Sequence, residues 1–171
     1  IARSEMLAFI AENNMRWGKN IADYKDLHRF SVEEPERFWL AVWDFCGVLA
    51  EQRGDVVLAG SDRMPGARWF PQARLNFARN LLRRRDDEVA IVALREDGER
   101  RTLSFAELYD LVSRITQAMT ASGVVAGDRV AAYMPNIPEA VAGMLAATSI
   151  GAIWTCCAPE FGVSAALDRI G

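Results

Sequence analysis

One stretch limits what this chain can fold into more than any other. It is Gly127–Gly162, GDRVAAYMPNIPEAVAGMLAATSIGAIWTCCAPEFG, whose pattern reads as a strand, a crossover helix and a parallel strand. Arg129 to Met134 is a short apolar run suited to a buried strand, and Pro135-Asn136 stops it. The helix that follows has Asn136 as its expected cap with Glu139 in reach, and Pro138 in the first turn, where a missing N–H costs nothing. Ile137, Val141, Met144, Leu145 and Thr148 share one helical stripe, while Ala140, Ala142, Gly143, Ala146 and Ala147 keep the other faces thin enough for close packing. Gly151 ends the helix, and Ala152 to Cys157 returns as the second strand. The chain leaves that strand at Ala158-Pro159-Glu160, and in open parallel sheets ligands bind beyond the carboxyl ends of the strands.

The same stretch has a second reading. No residue between Glu139 and Glu160 is charged, a run long enough to cross a bilayer, and Gly143, Ala147 and Gly151 form a ladder of small residues like those of paired membrane helices. Most of the run is Ala, Gly, Ser and Thr, however, and it ends in strand-like Ile153-Trp154-Thr155, so the crossover of an α/β protein is the expected state. A length of 171 residues fits one domain of ordinary size. Val163 to Gly171 reads as the opening turns of a further helix without a capping pattern or polar tail, so a piece of a larger protein is expected. A net charge of -3 argues against a nucleic-acid surface. Nearly all the cations are Arg, which leaves Lys19 and Lys25 as the only candidates for a catalytic lysine. No signal peptide opens the chain, and its three Cys lack a disulfide framework, so a cytoplasmic location is expected.

Upstream, residues 3–14 carry Met6, Phe9, Ile10 and Asn13 at helical spacing, with Asn13-Asn14 and Gly18 as the stop. Ser31 with Glu34 reads as a capping box that starts a helix, with Pro35 in its first turn, Phe38, Val42, Phe45 and Leu49 on one stripe and Trp39, Trp43 and Cys46 on the next. A helix apolar over so wide an arc needs cover on two sides. Gly54 to Pro71 is an irregular connector with Trp69-Phe70-Pro71 as an aromatic anchor, and residues 72–85 return to helical spacing, with Asn76 and Asn80 expected to bond nearby backbone. Arg83-Arg84-Arg85 beside Asp86-Asp87-Glu88 reads as a solvated turn. Val89 to Leu94, the turn Glu96-Asp97-Gly98 and Arg101 to Leu103 read as a hairpin; Ser104 with Glu107 then caps a helix that Gly123 closes. The expected organisation is a mainly helical segment over residues 1–88, then the start of an α/β domain over 89–171 with a hairpin and a parallel βαβ unit.

The common catalytic constellations are missing from these letters. His28 is the only histidine and is expected on a loop before a helix, structural or solvated. The twelve glycines form neither nucleotide-binding loop pattern. Cys156 and Cys157 alternate across a strand, unlike a redox pair, and read as small buried apolar residues. Neither catalytic residues nor metal ligands are assigned.

The order of short motifs carries further. Trp69-Phe70-Pro71, Leu75-Asn76-Phe77-Ala78 with Asn80-Leu81-Leu82, Leu103-Ser104-Phe105 with Glu107-Leu108, Gly127-Asp128-Arg129-Val130, Met134-Pro135-Asn136 and Gly151-Ala152 together resemble the acyl-CoA synthetases of the adenylate-forming superfamily. Tyr24, Phe38-Trp39 and Trp69-Phe70 look like the N-terminal extension of that family's acetate-activating members, and Trp154 to Gly162 is most similar to its acetoacetate-activating branch. The resemblance implies a ligase that joins an acid to AMP using ATP and Mg²⁺, releases pyrophosphate and passes the acyl group to CoA. It also implies that the phosphate loop, acid pocket, ribose-binding aspartate and catalytic lysine lie outside these residues, so that the chain by itself is inactive. In acetate-activating relatives a Phe-Gly-Gly turn after the second strand lies against the CoA nucleotide; Ala158, Pro159 and Glu160 stand there as a possible CoA contact, with an aromatic face removed and a carboxylate added. Arg79 departs from the acid common at its position and reads as a surface change. Acetate or propionate activation, or a non-catalytic scaffolding module, are the alternatives. Apolar surface left open is expected to favour self-association.

Overall fold

The computed structural model describes residues 4–171, which gather into two units, one running to Leu75 and the other spanning Asn76–Gly171. In the first unit, the spacing of Phe9 and Ile10 winds α1 (Glu5–Trp17). The helix runs through Asn13-Asn14 instead of stopping there; Arg3, where it was expected to begin, lies outside the described residues. Asn13 is fully buried and its amide donates to the Phe9 carbonyl at 2.8 Å. Asn14 brackets the chain beyond the helix, accepting from the Ile21 N–H at 2.8 Å and donating to the Ile21 carbonyl at 3.0 Å. Gly18 closes the turn at φ 61°, a left-handed conformation that favours a residue without Cβ.

Two expectations are corrected by α2 (Tyr24–Glu33). Asp23 caps it, accepting from the Asp26 N–H at 2.9 Å, so the helix is already under way when the chain reaches Ser31. The Ser31 hydroxyl donates to the His28 carbonyl, no Ser31–Glu34 capping box forms, and His28 sits exposed in mid-helix instead of on a loop. The helix expected to start from Ser31 begins instead at Pro35, as α3 (Pro35–Phe45), and the Glu34 carboxylate binds Lys19 and Arg37. Leu49 lies beyond the end of α3.

The wide apolar arc of α3 is packed on one flank and only partly covered on the other, where Trp39 stays exposed. Phe38, Val42 and Phe45 pack on a core of Phe9, Ile10, Ile21, Leu27, Phe30 and Ala41. Phe9 meets Phe38 and Phe45 edge-on at 5.8 and 5.1 Å, the arrangement that ring quadrupoles favour. On the other flank, Trp39 lies 5.5 Å from Trp69 and Trp43 lies 4.5 Å from Phe70, so Trp69-Phe70 is the anchor its composition implied. The connector itself carries only a two-residue antiparallel pair, β1 (Leu58–Ala59) and β2 (Arg68–Trp69).

The second unit opens with α4 (Phe77–Leu81), far shorter than the helix expected over 72–85. Asn76 explains the difference. Its backbone is extended, its side-chain oxygen caps the Arg79 N–H at 3.0 Å, and its amide donates to the Thr148 and Ser149 carbonyls at 2.9 and 3.2 Å. Asn80 bonds locally, to the Asn76 carbonyl, whereas Asn76 reaches backbone distant in sequence. Arg79 is exposed, as expected.

Next, β3 (Val89–Leu94) and β4 (Arg100–Ser104) pair as the expected antiparallel hairpin. Both bonds of the Ser104–Glu107 capping box are present at the start of α5 (Phe105–Ala121). The charged turn before β3 is solvated, with Arg84 bonded to Asp86 on the surface.

The organising stretch folds as read: β5 (Arg129–Tyr133), α6 (Pro138–Ile150) and β6 (Ile153–Cys157), with β5 and β6 parallel and Val130 opposite Trp154. Its cap differs from the expectation, because Ile137 occupies the N-cap position and Glu139 bonds Arg101 instead of reaching back to Asn136. The thin faces of α6 are its most buried ones: Ala142, Ala146 and Ala147 are sealed against solvent. They and Leu145 lie with Ala78, Leu82, Leu108 and Val112 or beside them, so α4, α5 and α6 share one core. A Cβ on Gly143 would come 2.8 Å from Cη2 of Trp154, so glycine lets the indole of β6 seat directly on the helix. Among the described residues no helix is long and apolar enough to cross a membrane, because the uncharged run breaks at Gly151 and continues as β6. Cys157 is buried but Cys156 is exposed, which corrects the expectation that both are. Finally, α7 (Val163–Ile170) continues from the turn after β6 with no buried residue.

Candidate functional site

The turn beyond β6 is where the strand pattern places ligand contact, and it is held from several sides. The Met134 N–H donates to the Cys157 carbonyl at 3.1 Å, extending the parallel ladder by one bond past β5. The Phe161 N–H donates to the Ala158 carbonyl at 3.1 Å and closes a tight turn. The phenol oxygen of Tyr133 lies 2.8 Å from the Pro159 carbonyl oxygen and 2.7 Å from that of Phe161, so one hydroxyl serves both ends of the turn. Ala158 is half-buried, and Pro159 and Glu160 are exposed. The Arg169 guanidinium lies over the Phe161 ring at 4.5 Å and makes no ion pair among the described residues.

Beside this turn, a groove of about 1170 Å³ runs between the β3–β4 hairpin and the start of α6, with Glu160 on its rim. Its floor is crossed by Arg101 and Glu139, 2.5 Å apart. Arg95 pairs with Glu99 at 2.6 Å and with Asp97 at 3.3 Å, so both arginines of the groove are neutralised and Glu96 and Glu160 leave it acidic. An acidic groove repels phosphate, so its field works against a nucleotide lying along it.

The Arg101 hydrogen bond holds the Glu139 carboxyl below its ordinary value of 4.5, and partial burial opposes this less strongly. A carboxylate whose folded pKa is depressed contributes stability above its unfolded value and loses it as pH falls through the folded one. Acidification below pH 4.5 is therefore expected to weaken the link between hairpin and α6. A Glu139→Gln variant should lose less stability over that interval than the parent. Because the pair is exposed, the difference is at most about 1 kcal/mol. Urea midpoints measured on both proteins at neutral and acid pH check it; parallel losses would contradict it.

Of the residues singled out in sequence, Ala158, Pro159 and Glu160 come together on this exposed turn, whereas His28, Lys19 and Lys25 belong to the other unit. Tyr133, Arg169, Arg101 and Glu139 were not marked as site residues. For Tyr133 the only signal in the sequence is its place near the end of the first strand; the pairing with Cys157 is what sets it beside the turn. The residues fit CoA in part, through an exposed turn with a cation stacked next to it, while Glu160 opposes the phosphates. They do not fit ATP or Mg²⁺, since no glycine-rich phosphate loop is present and no group of three metal-ligating side chains occurs among the described residues.

The hairpin, the crossover unit and the turn beyond β6 place the chain in a known class: residues 77–170 match the AMP-binding enzyme family, over half of the chain, and the chain belongs to that family. Residues 24–81 match the family described as acetyl-coenzyme A synthetase N-terminus. Among particular proteins, it is 49% identical over 171 residues to the acetoacetyl-coenzyme A synthetase of Rhizobium meliloti (strain 1021), covering all of this chain and 26% of that one. It is 36% identical over 174 residues to malonamoyl-CoA synthetase vrtB of Penicillium aethiopicum, covering 98% of this chain and 24% of the relative. The solved acetoacetyl-CoA synthetase from Streptomyces lividans superposes with a TM-score of 0.89 at 40% identity, over 98% of this chain and 26% of that one. The chain thus spans about a quarter of the length of the relatives it matches.

Proposed function

We propose that this chain is part of an ATP-dependent acid–CoA ligase that converts acetoacetate, ATP and CoA to acetoacetyl-CoA, AMP and pyrophosphate through an acyl-adenylate. The likeness to acetoacetyl-CoA synthetases along the whole chain, in sequence and in fold, supports this reading most directly. The part described here contributes framework and one substrate contact. α4, α5 and α6 bury a common core that supports β5 and β6, and these strands carry the turn of Ala158, Pro159 and Glu160 to the surface, where it contacts CoA. The residues that bind ATP and Mg²⁺ and perform adenylation are assigned to the rest of the protein; the sequence here carries no glycine-rich phosphate loop, and no group of three metal-ligating side chains occurs among the described residues. The enzyme acts on small molecules in the cytoplasm. A malonamoyl-CoA synthetase relative shares this region, which favours assigning acid selection to residues outside it.

ATP–pyrophosphate exchange by the full-length protein tests the reading. Exchange should depend on acetoacetate and exceed that with acetate or propionate. Equal exchange with the three acids would overturn the acetoacetate assignment in favour of a broader short-chain ligase, and no exchange with any would favour a scaffolding role. The 171-residue chain alone should form no AMP, and measurable AMP would refute the assignment of adenylation to other residues.

A further inference from the structure

We propose that Tyr133 is a positioning residue for CoA, acting through the turn that follows β6. The inference rests on the reading above, in which that turn touches CoA. Tyr133 ends β5 in register with Cys157, so its ring is set by the parallel ladder and not by the turn it serves. Its hydroxyl lies 2.8 Å from the Pro159 carbonyl and 2.7 Å from the Phe161 carbonyl, and both carbonyls therefore face the strand.

In a trans peptide the N–H points opposite to the carbonyl of the same plane. Drawing those two carbonyls toward Tyr133 thus turns the Glu160 and Gly162 N–H groups away from the sheet. Neither donates to another described residue. Without the hydroxyl, the Phe161–Ala158 bond would still close the turn, but the two peptide planes would be free to rotate. The turn would then have to be ordered by CoA on binding, at a cost in affinity. Tyr133 touches no reacting atom in this account, so it affects CoA recognition and leaves adenylation untouched.

Tyr133→Phe in the full-length enzyme tests this, because it removes the hydroxyl and keeps the ring. KM for CoA and the CoA dissociation constant from calorimetry should each rise about 3- to 10-fold, the range that one lost hydrogen bond of ordinary strength allows. Acetoacetate-dependent ATP–pyrophosphate exchange, which precedes CoA entry, should keep its kcat and its KM for acid. Amide hydrogen exchange of Phe161, whose N–H holds the Ala158 carbonyl, should quicken in the variant as the freed planes open that bond more often, while β5 and β6 stay protected. Unchanged CoA binding in an active variant would overturn the role of Tyr133 alone. A joint loss of pyrophosphate exchange and CoA binding would overturn it in favour of general structural damage. A parent enzyme that neither exchanges pyrophosphate with acetoacetate nor binds CoA would remove the functional reading and this inference together.

Discussion

Leu145→Ala is expected to destabilise the second unit by about 2 to 5 kcal/mol, the cost of truncating a leucine in a core that relaxes only partly. Leu145 is only 2% exposed and lies in the cluster of Ala78, Leu82, Leu108, Val112, Ala142 and Ala146. Ala142 and Ala146 on α6 have no side-chain length to swing into the vacancy, whereas Val141 and Met144 pack against the cluster and can fill that space in part. The neighbours from α4 and α5 are fixed at their helix starts by the Asn76 and Ser104 caps. The hole should fill only in part, placing the loss within that range. Urea unfolding of the chain, followed by tryptophan fluorescence and far-ultraviolet circular dichroism, gives the number. A loss below about 1 kcal/mol would mean that the three helices can close up, contrary to native packing density.

Gly143→Val is expected to cost about 3 kcal/mol, for the opposite reason. A Cβ at that position comes 2.8 Å from Cη2 and 3.2 Å from Cζ3 of Trp154, and valine adds two methyl groups beyond it. The indole is a rigid plate on β6 and cannot fold its tip aside as a lysine or methionine would. Overpacking of this kind costs about 1 to 3 kcal/mol, and a β-branched residue in mid-helix adds to it. Gly143→Ala should be milder, because the better helix propensity of alanine, worth about 1 kcal/mol, offsets part of the clash. Shortening the partner decides the mechanism. Trp154→Leu combined with Gly143→Val should be less destabilised than the sum of the single changes, a coupling that a double-mutant cycle measures. Strict additivity would show that the two side chains do not meet.

Much of the fold was legible because its signals are local. The Ser104–Glu107 box, the hairpin around Asp97-Gly98 and the strand, helix and strand from Arg129 to Cys157 are each defined by neighbours in sequence and appear as read. What misled was competition from distant groups. Ser31 with Glu34 has capping spacing, but Asp23 started the helix earlier, and Glu34 was taken by Lys19 and Arg37. Asn136 with Glu139 failed in the same way, because Arg101 on the hairpin offered the glutamate a charged partner. Helical spacing over 72–85 carried no warning that the Asn76 side chain would leave its own neighbourhood for Thr148 and Ser149. Of the candidate site, the turn was legible from strand order and the resemblance. The Tyr133 hydroxyl that shapes it depends on a register known only once the strands are paired.

The two adjacent thiols of β6 differ in a way that makes the molecule its own reporter. Cys156 is an exposed residue, while Cys157, one residue further on, is only 1% exposed, and neither is in a disulfide. An alkylating reagent will therefore modify Cys156 promptly and Cys157 only when the end of β6 comes away from its neighbours. Because Cys157 faces Tyr133 across the ladder, the slow labelling step times the opening of the βαβ edge from which the turn is suspended. Mass spectrometry of a single labelling course would read that opening without any engineered probe.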